Sequence, residues 1–284
     1  MRSNTPRSPR TLASAALFAF IAIATAACQT TQSTETTGSL ALAPAVRSDA
    51  DWRRDVDVYG QQYRANPTKV DVALRYGEAL RATGQTAQAV AVLERLSIEH
   101  PHDKTVLGAY GRALAEAGDY GQALEVLGRA HTPDQPDWRI LSAQGAVLDQ
   151  MGRHAEAQRY YRTALKIVPN EPSILSNLGL SYALSKDLRH AEATLRQAMA
   201  QHPADPRVRQ NLALVVGLQG RFAEAETIAR ADLPADEAAA NVAYLRRMLD
   251  GRRSDHLLSP RIHASADAES SVAQASSGFA PARE

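Results

Sequence analysis

The sequence predicts an all-α protein, a solenoid of about five helix–turn–helix repeats with one further helix at each end. The first observation behind this prediction is a period of 34 residues. Five small residues occur at that spacing, namely Gly77, Gly111, Gly145, Gly179 and Ala213. The second is that other residues keep the same phase, above all the alanines Ala89, Ala123, Ala157, Ala191 and Ala225. No insertion interrupts the five units, and a fixed period of this length is typical of stacked repeats.

The repeated residue types have physical explanations. If the first unit begins at residue 70, the small residues occupy positions 8 and 20, where two antiparallel helices approach closely. Glycine at position 15 favours the left-handed conformation that ends the first helix, and Lys186 stands there in the fourth unit. Leucine or tyrosine at positions 11 and 24 fills the core, and proline at position 32 ends the second helix. These residues are therefore predicted to build the scaffold.

The chain beyond the five units predicts two terminal helices. Tyr59 and Pro67 fall at positions 24 and 32 of an incomplete unit, which predicts a lone second helix. After Pro234, two acidic residues favour a helix N-terminus, and one apolar face follows. The predicted segments are an N-terminal helix at 49–69, five units at 70–103, 104–137, 138–171, 172–205 and 206–235, and a C-terminal capping helix at 236–250.

This pattern resembles the tetratricopeptide repeat (TPR), which has a period of 34 residues. The TPR signature places small residues at positions 8 and 20, an aromatic residue or leucine at 24 and proline at 32. The resemblance covers about residues 51–250. It implies an α-solenoid whose first helices line a concave face, with positions 2, 5, 6, 9, 12 and 13 of each unit directed into it.

The beginning of the chain has the order of a bacterial export signal. Residues 1–11 carry three arginines and no acidic residue, and residues 12–24 are continuously apolar or small. The apolar run is shorter than the ~20 residues that a membrane-spanning helix needs. Residues 1–27 are therefore predicted to be a signal peptide.

Cys28 is the single cysteine of the chain and directly follows two alanines. A small pair before a cysteine resembles the lipobox of bacterial lipoproteins, in which that cysteine is acylated and becomes the mature N-terminus. Thr25 stands where this family usually has leucine. Gln29 follows the cysteine, and the absence of aspartate there implies sorting to the outer membrane. The alternative is a secreted protein cut after an A-x-A-like site.

Two segments lack helical periodicity. Residues 28–48 are dominated by Ser, Thr, Gly and Pro, which predicts a flexible tether. Residues 251–284 are rich in Ser, Ala and Arg, which predicts a disordered tail.

The implied groove has two halves of different chemistry. Asn177 and Asn211 occupy position 6 of the last two units. In some TPR proteins such asparagines bind the backbone of an extended peptide, and an amide has suitable donors and an acceptor. The alternative is that each satisfies a neighbouring backbone group. The other residues predicted to contact a partner segment are Leu180, Leu184, Leu214 and Leu218 in an apolar half and Arg112 and Arg139 in a charged half, which also contains Asp71, Arg75, Glu78, Arg81, Glu116 and Asp149. The charges are equally consistent with a solvated face.

Composition and motifs argue against several functions. Without the three arginines of residues 1–27, the formal net charge of +1 becomes about −2, which is unlike a nucleic-acid-binding domain. One cysteine excludes an intramolecular disulfide and a multi-cysteine metal site. No phosphate-binding loop, G-x-S-x-G or HExxH motif occurs. His100 and His102 flank Pro101, where such a pair is more often incidental than a metal site. We therefore predict no catalytic residue, metal, cofactor, nucleic acid or small-molecule substrate.

The last unit and its cap carry a narrower resemblance. Residues 211–226 (NLALVVGLQGRFAEAE) and 239–246 (AANVAYLR) resemble the TPR lipoproteins of the tight-adherence (Tad, or Flp) pilus system, the TadD family. This resemblance implies an outer-membrane lipoprotein that faces the periplasm and helps a secretin or another pilus-assembly protein. The alternative is an accessory to another envelope machine, either general secretion or peptidoglycan and glycan synthesis.

Overall fold

The computed structural model describes residues 47–201 and 205–258, and within these ranges it contains α-helices and no strand. The helices are α1 (Asp49–Ala65), α2 (Val70–Ala82), α3 (Thr86–Glu99), α4 (Lys104–Ala117), α5 (Tyr120–Arg129), α6 (Trp138–Gln150), α7 (His154–Ile167), α8 (Pro172–Leu184), α9 (Leu188–Gln201), α10 (Pro206–Leu218), α11 (Phe222–Ala229) and α12 (Ala235–Leu258). The predicted all-α solenoid of helix pairs is confirmed.

Each helix packs against its neighbours in the chain, so that α2 with α3, and each later pair to α10 with α11, forms one unit. The first helices of successive units also touch, because α2 contacts α4, α4 contacts α6, α6 contacts α8 and α8 contacts α10. These five first helices form one continuous face, called the groove face below.

Glycine at position 8 packs against the side chain at position 24 of the same unit. A Cβ atom added to Gly111 would lie 2.6 Å from Cγ of Leu127, and one added to Gly145 would lie 2.7 Å from Cε1 of Tyr161. Both distances are too short for a carbon–carbon contact. The alanines at position 20 are at most 1% exposed in all five units. Small residues at positions 8 and 20 therefore set how closely the two helices of a unit approach.

The turn between the two helices of each unit is left-handed, as position 15 predicts. Gly84, Gly118, Gly152 and Gly220 have φ between 74° and 87°. Lys186 adopts the same conformation in the fourth unit, with φ of 66°. A side chain in this region clashes with its own backbone, at a cost of roughly 1–2 kcal/mol.

We expect Lys186→Gly to stabilise the protein. Relief of the left-handed strain outweighs the added backbone entropy of glycine, so the free energy of unfolding should rise by about 0.5–1 kcal/mol. Denaturant unfolding followed by circular dichroism measures the change. The matched control is Lys166→Gly, which is exposed in the last turn of α7. It should instead lower stability by up to about 1 kcal/mol, as glycine does in a helix; a loss of stability in Lys186→Gly would contradict the strain argument.

The two terminal helices agree only in part with the predicted segments. The N-terminal helix α1 begins with a capping box between Ser48 and Asp51. At the other end α12 runs to Leu258, so the prediction of a helix ending at residue 250 and of disorder from residue 251 is wrong for residues 251–258. Gly251 costs an exposed helix only about 1 kcal/mol, and the arginines and leucines that follow favour helix. The signal peptide, Cys28, most of the tether and residues 259–284 lie outside the described residues.

Candidate partner-binding groove

The two asparagines of the groove face connect neighbouring units. Asn177 Nδ2 donates a hydrogen bond to Ser142 Oγ at 3.3 Å, and Asn211 Nδ2 donates to Ser176 Oγ at 2.9 Å. Each bond joins position 6 of one first helix to position 5 of the preceding one. Among the described residues neither asparagine Oδ1 accepts a hydrogen bond. One N–H of each amide is therefore structural, and the carbonyl oxygen remains for a ligand.

The serine partners were not anticipated from the sequence, which suggested a backbone group as the alternative partner. The sequence nevertheless contains a signal for this contact. Ser142 and Ser176 stand at position 5 of the third and fourth units, and asparagine stands at position 6 of the unit that follows each of them. A pair of side chains that recurs 35 residues apart indicates a contact between adjacent units.

The four leucines form an apolar strip on the C-terminal half of the groove face. Leu180 and Leu184 lie one turn apart on α8, and Leu214 and Leu218 lie in the same way on α10. All four are half-buried. They lie near the two amides, so an extended segment could bury side chains there while its backbone meets the amide groups.

The N-terminal half of the groove face carries an ion pair between α2 and α4 and two arginines, Arg75 and Arg139, that lie over aromatic rings. Arg81 of α2 donates two hydrogen bonds to Glu116 of α4, one of them from Nε at 2.8 Å. Arg139 is exposed, and its Cζ lies 4.2 Å from the ring centroid of Trp138. Arg112 is half-buried. Arg112 and Arg139 both lie on first helices, and two of their charged neighbours, Arg81 and Glu116, are paired with each other.

Asp149 was expected among the groove charges, and that expectation is wrong. Its side chain is only 8% exposed. It accepts hydrogen bonds from Ser181 Oγ at 2.7 Å and from the Tyr161 hydroxyl at 3.1 Å, and its Oδ1 lies 2.8 Å from Nδ1 of His154. Burial raises the pKa of Asp149, and the hydrogen bonds from His154, Ser181 and Tyr161 oppose that effect. The carboxylate therefore holds the third and fourth units together.

The cluster around Asp149 contains serine, histidine and aspartate, but its geometry does not match a nucleophilic triad. In a triad the histidine lies between the serine and the aspartate. Here the Asp149 carboxylate lies between the other two groups, since it contacts both Ser181 and His154. Ser181 is also fully buried. Among residues 47–201 and 205–251, no group of three His, Cys, Asp or Glu residues could hold a metal ion.

No helix in the part of the chain that the structure describes is both long and apolar enough to span a bilayer.

Comparison with known families identifies the repeat. Tetratricopeptide-repeat family models match residues 82–145, 148–215 and 206–231, which together span just over half of the chain. This chain is a tetratricopeptide-repeat protein. Comparison of the TPR protein with curated protein sequences gave no match.

Solved structures with the same fold include PilW, a widely conserved type IV pilus biogenesis factor. It has 15% sequence identity and a TM-score of 0.60, and the match covers 68% of the TPR protein and 91% of PilW. TTC0263, a thermophilic TPR protein from Thermus thermophilus, has 26% identity and a TM-score of 0.54, with 61% and 96% covered. Cut9 with Hcn1, from the APC/C, has 16% identity and a TM-score of 0.56, with 71% and 41% covered. TPR proteins generally mediate protein–protein interactions, so the groove face is a candidate binding surface.

Proposed function

We propose that this TPR protein is a non-enzymatic scaffold that binds an extended segment of a partner protein on its groove face. One observation carries the proposal: the apolar strip of Leu180, Leu184, Leu214 and Leu218 lies near two amides whose carbonyl oxygens accept no hydrogen bond from the part of the chain that the structure describes. A partner strand could bury alternate side chains on the leucines and donate backbone N–H groups to the amides.

The partner we propose is a secretin or another assembly protein of a Tad/Flp-type pilus. The support is the resemblance of residues 211–226 and 239–246 to the TadD family of TPR lipoproteins. The likeness to PilW is one of fold at 15% identity, so it shows that a pilus biogenesis factor uses this architecture and adds no residue-level argument. The proposed location is the outer membrane, with the solenoid facing the periplasm.

Covalent crosslinking in the native host, followed by purification of the tagged TPR protein, tests the partner. We expect the pilus secretin or another pilus-assembly protein among the crosslinked products and a loss of surface pili in a deletion strain. Normal piliation together with recovery of only general-secretion or cell-wall synthesis proteins would reject the pilus role.

Acylation of Cys28 is the proposed means of attachment. Each buried methylene of an acyl chain contributes about 0.8 kcal/mol to membrane binding, so two or three chains anchor stably. Cys28→Ala should therefore move the protein from the membrane fraction to the aqueous periplasmic fraction, as measured by cell fractionation and metabolic labelling with palmitate. Ser33→Ala, in the predicted tether, is the matched control and should leave both readouts unchanged. Full membrane retention of Cys28→Ala would reject the anchor.

The asparagine hydrogen bonds allow binding and stability to be separated. Asn177→Ala with Asn211→Ala removes both bonds and both free carbonyl oxygens. We expect a loss of about 1 kcal/mol of stability per bond and a weakening of partner binding by roughly five-fold or more. Ser142→Ala with Ser176→Ala removes the same bonds and leaves the asparagines in place. This control should lose similar stability but retain most of the binding; equal binding in both double variants would show that the asparagines are structural only.

A further inference from the structure

A cleft outside the groove face lies between α3 and α5, the second helices of the first two units. Leu107 and Tyr110 of α4 form its floor and are at most 4% exposed. This space, called the outer cleft below, has a volume of about 330 Å³. Ligand pockets commonly measure roughly 300–1,000 Å³. The outer cleft is therefore large enough for one long side chain.

Ile98 of α3 forms an apolar rim of the outer cleft. Its side chain is 73% exposed, whereas the other exposed large apolar residues in the described part of the chain are 39–44% exposed. A ligand that covered Ile98 would remove apolar surface from water, and this would favour binding.

Two glutamates line the outer cleft without a cationic partner. Glu94 of α3 and Glu125 of α5 are exposed, and neither forms an ion pair within the described residues. Arg129 also lines the cleft and lies four residues after Glu125, a spacing that favours pairing. Its Nη2 instead donates a hydrogen bond to the carbonyl oxygen of Pro101 at 3.1 Å. The lining of the outer cleft therefore has a net negative charge.

The floor of the outer cleft responds to this charge. Burial raises the pKa of the Tyr110 hydroxyl, and the negative charges of Glu94 and Asp119 raise it further. The hydrogen bond that Gln122 Nε2 donates to this hydroxyl at 3.2 Å acts in the opposite direction. A cleft lined by one sign of charge attracts the opposite sign, so the outer cleft favours a cation.

A corresponding cleft between α7 and α9 of the third and fourth units lacks this charge. Its volume is about 240 Å³, and no aspartate, glutamate, lysine or arginine lines it. Arg162 stands at the repeat position of Glu94, and Ala193 stands at that of Glu125. The two acids are therefore particular to the outer cleft and are not part of the repeat pattern.

We propose that the outer cleft binds a lysine or arginine side chain of a partner segment. Such a side chain combines an apolar stem with a charged end. The stem would pack against Ile98, and the charged end would lie between Glu94 and Glu125 and form charged hydrogen bonds with them. This site is separate from the groove face and does not depend on the function proposed for that face.

Methyl NMR of the purified protein with labelled isoleucines tests the site with a defined probe, the peptide Ac-Ala-Lys-Leu-Ala-NH2. We expect a saturable shift of the Ile98 methyl signals and none at Ile167, an exposed isoleucine on α7. The peptide with Gln in place of Lys should bind at least about five-fold more weakly, because it lacks the charge. No shift of Ile98 at millimolar peptide, or equal affinity of the two peptides, would overturn the proposal.

Two double variants with the same change in net charge separate a local site from general attraction. Glu94→Gln with Glu125→Gln should weaken binding of the lysine peptide at least about five-fold. Asp57→Asn with Glu237→Gln removes two exposed acids outside the cleft and should retain wild-type affinity at the same ionic strength. Circular dichroism should show wild-type helix content in both, since surface substitutions of this kind change stability little. An equal loss of affinity in the two double variants would overturn the proposal.

Two further measurements exclude other ligands and the other face. Calcium chloride alone, at equal ionic strength, should leave the Ile98 signals unshifted, and a saturable shift with calcium would assign the cleft to a metal ion instead. Asn177→Ala with Asn211→Ala should leave binding of the lysine peptide unchanged. Loss of binding in that variant would place the peptide on the groove face and overturn this inference, whereas failure to crosslink a pilus protein would reject only the pilus assignment.

Discussion

Replacing Gly111 with alanine is expected to destabilise the protein by about 1–3 kcal/mol, although alanine favours helix over glycine. The new methyl group would lie 2.6 Å from Cγ of Leu127, a fully buried side chain in the core of the second unit. Neither helix can move away without opening contacts to the adjacent units. Chemical denaturation gives the change in the free energy of unfolding. The matched control is Gly121→Ala on α5, where an added Cβ meets nothing within 4 Å, and stability there should rise.

The fifth unit suggests a second substitution that should offset part of the stability lost in Gly111→Ala. It has Ala213 at position 8 and Ala229 at position 24, so a larger residue at the first position accompanies a smaller one at the second. Leu127→Ala alone should cost about 2–5 kcal/mol because it leaves a cavity. Gly111→Ala combined with Leu127→Ala reproduces the fifth-unit pair, and its loss should be smaller than the sum of the two single losses by at least about 1 kcal/mol. Strict additivity would contradict the claim that positions 8 and 24 fill one shared space.

Asp149→Ala should be the most damaging polar substitution, with a loss of about 2–4 kcal/mol. It leaves the hydroxyl groups of Tyr161 and Ser181 buried without their acceptor. The control is Asp57→Ala on the exposed surface of α1, which should change stability by less than about 0.5 kcal/mol. A loss in Asp149→Ala no larger than in the control would show that the cluster does not hold the third and fourth units together.

The same carboxyl group predicts a pH dependence with a definite sign. Burial raises the folded-state pKa of Asp149 above its ordinary value of 3.8. Protonation therefore favours the folded state, so this contribution is fully present below pH 3.8 and is lost as the pH rises through the folded-state pKa. Asp149→Asn cannot titrate. Its stability deficit relative to the wild type should be larger at about pH 3.5 than at pH 7, as measured by urea unfolding at both pH values; the opposite trend would contradict the raised pKa.

The helical scaffold was predictable because the residues that form the contacts within each unit recur every 34 positions. Gly111 and Leu127 are part of a repeat that occurs five times, and Lys186 has the left-handed conformation that glycine has at the same position of the other units. The length of α12 was mispredicted because Gly251 was taken as its end, although Pro260, two residues after Leu258, is the stronger helix-ending signal. In that stretch Gly251 was a weaker signal than the helix formers around it.

The groove was predictable only in part. The repeat phase assigns the leucines and arginines to the first helices of their units, and their role in binding stays a prediction. Asp149 stands at a groove position as well, but its carboxylate is buried by Tyr161 and Ser181, which come from other helices.

The most direct test of the groove as the binding surface is site-specific photocrosslinking in living cells. A photoreactive phenylalanine derivative is placed at Leu214 on the groove face or at Arg162, an exposed residue on the second helix α7. We predict an adduct with the pilus secretin from position 214 and none from position 162. A secretin adduct from position 162 with none from position 214 would contradict the proposed binding surface.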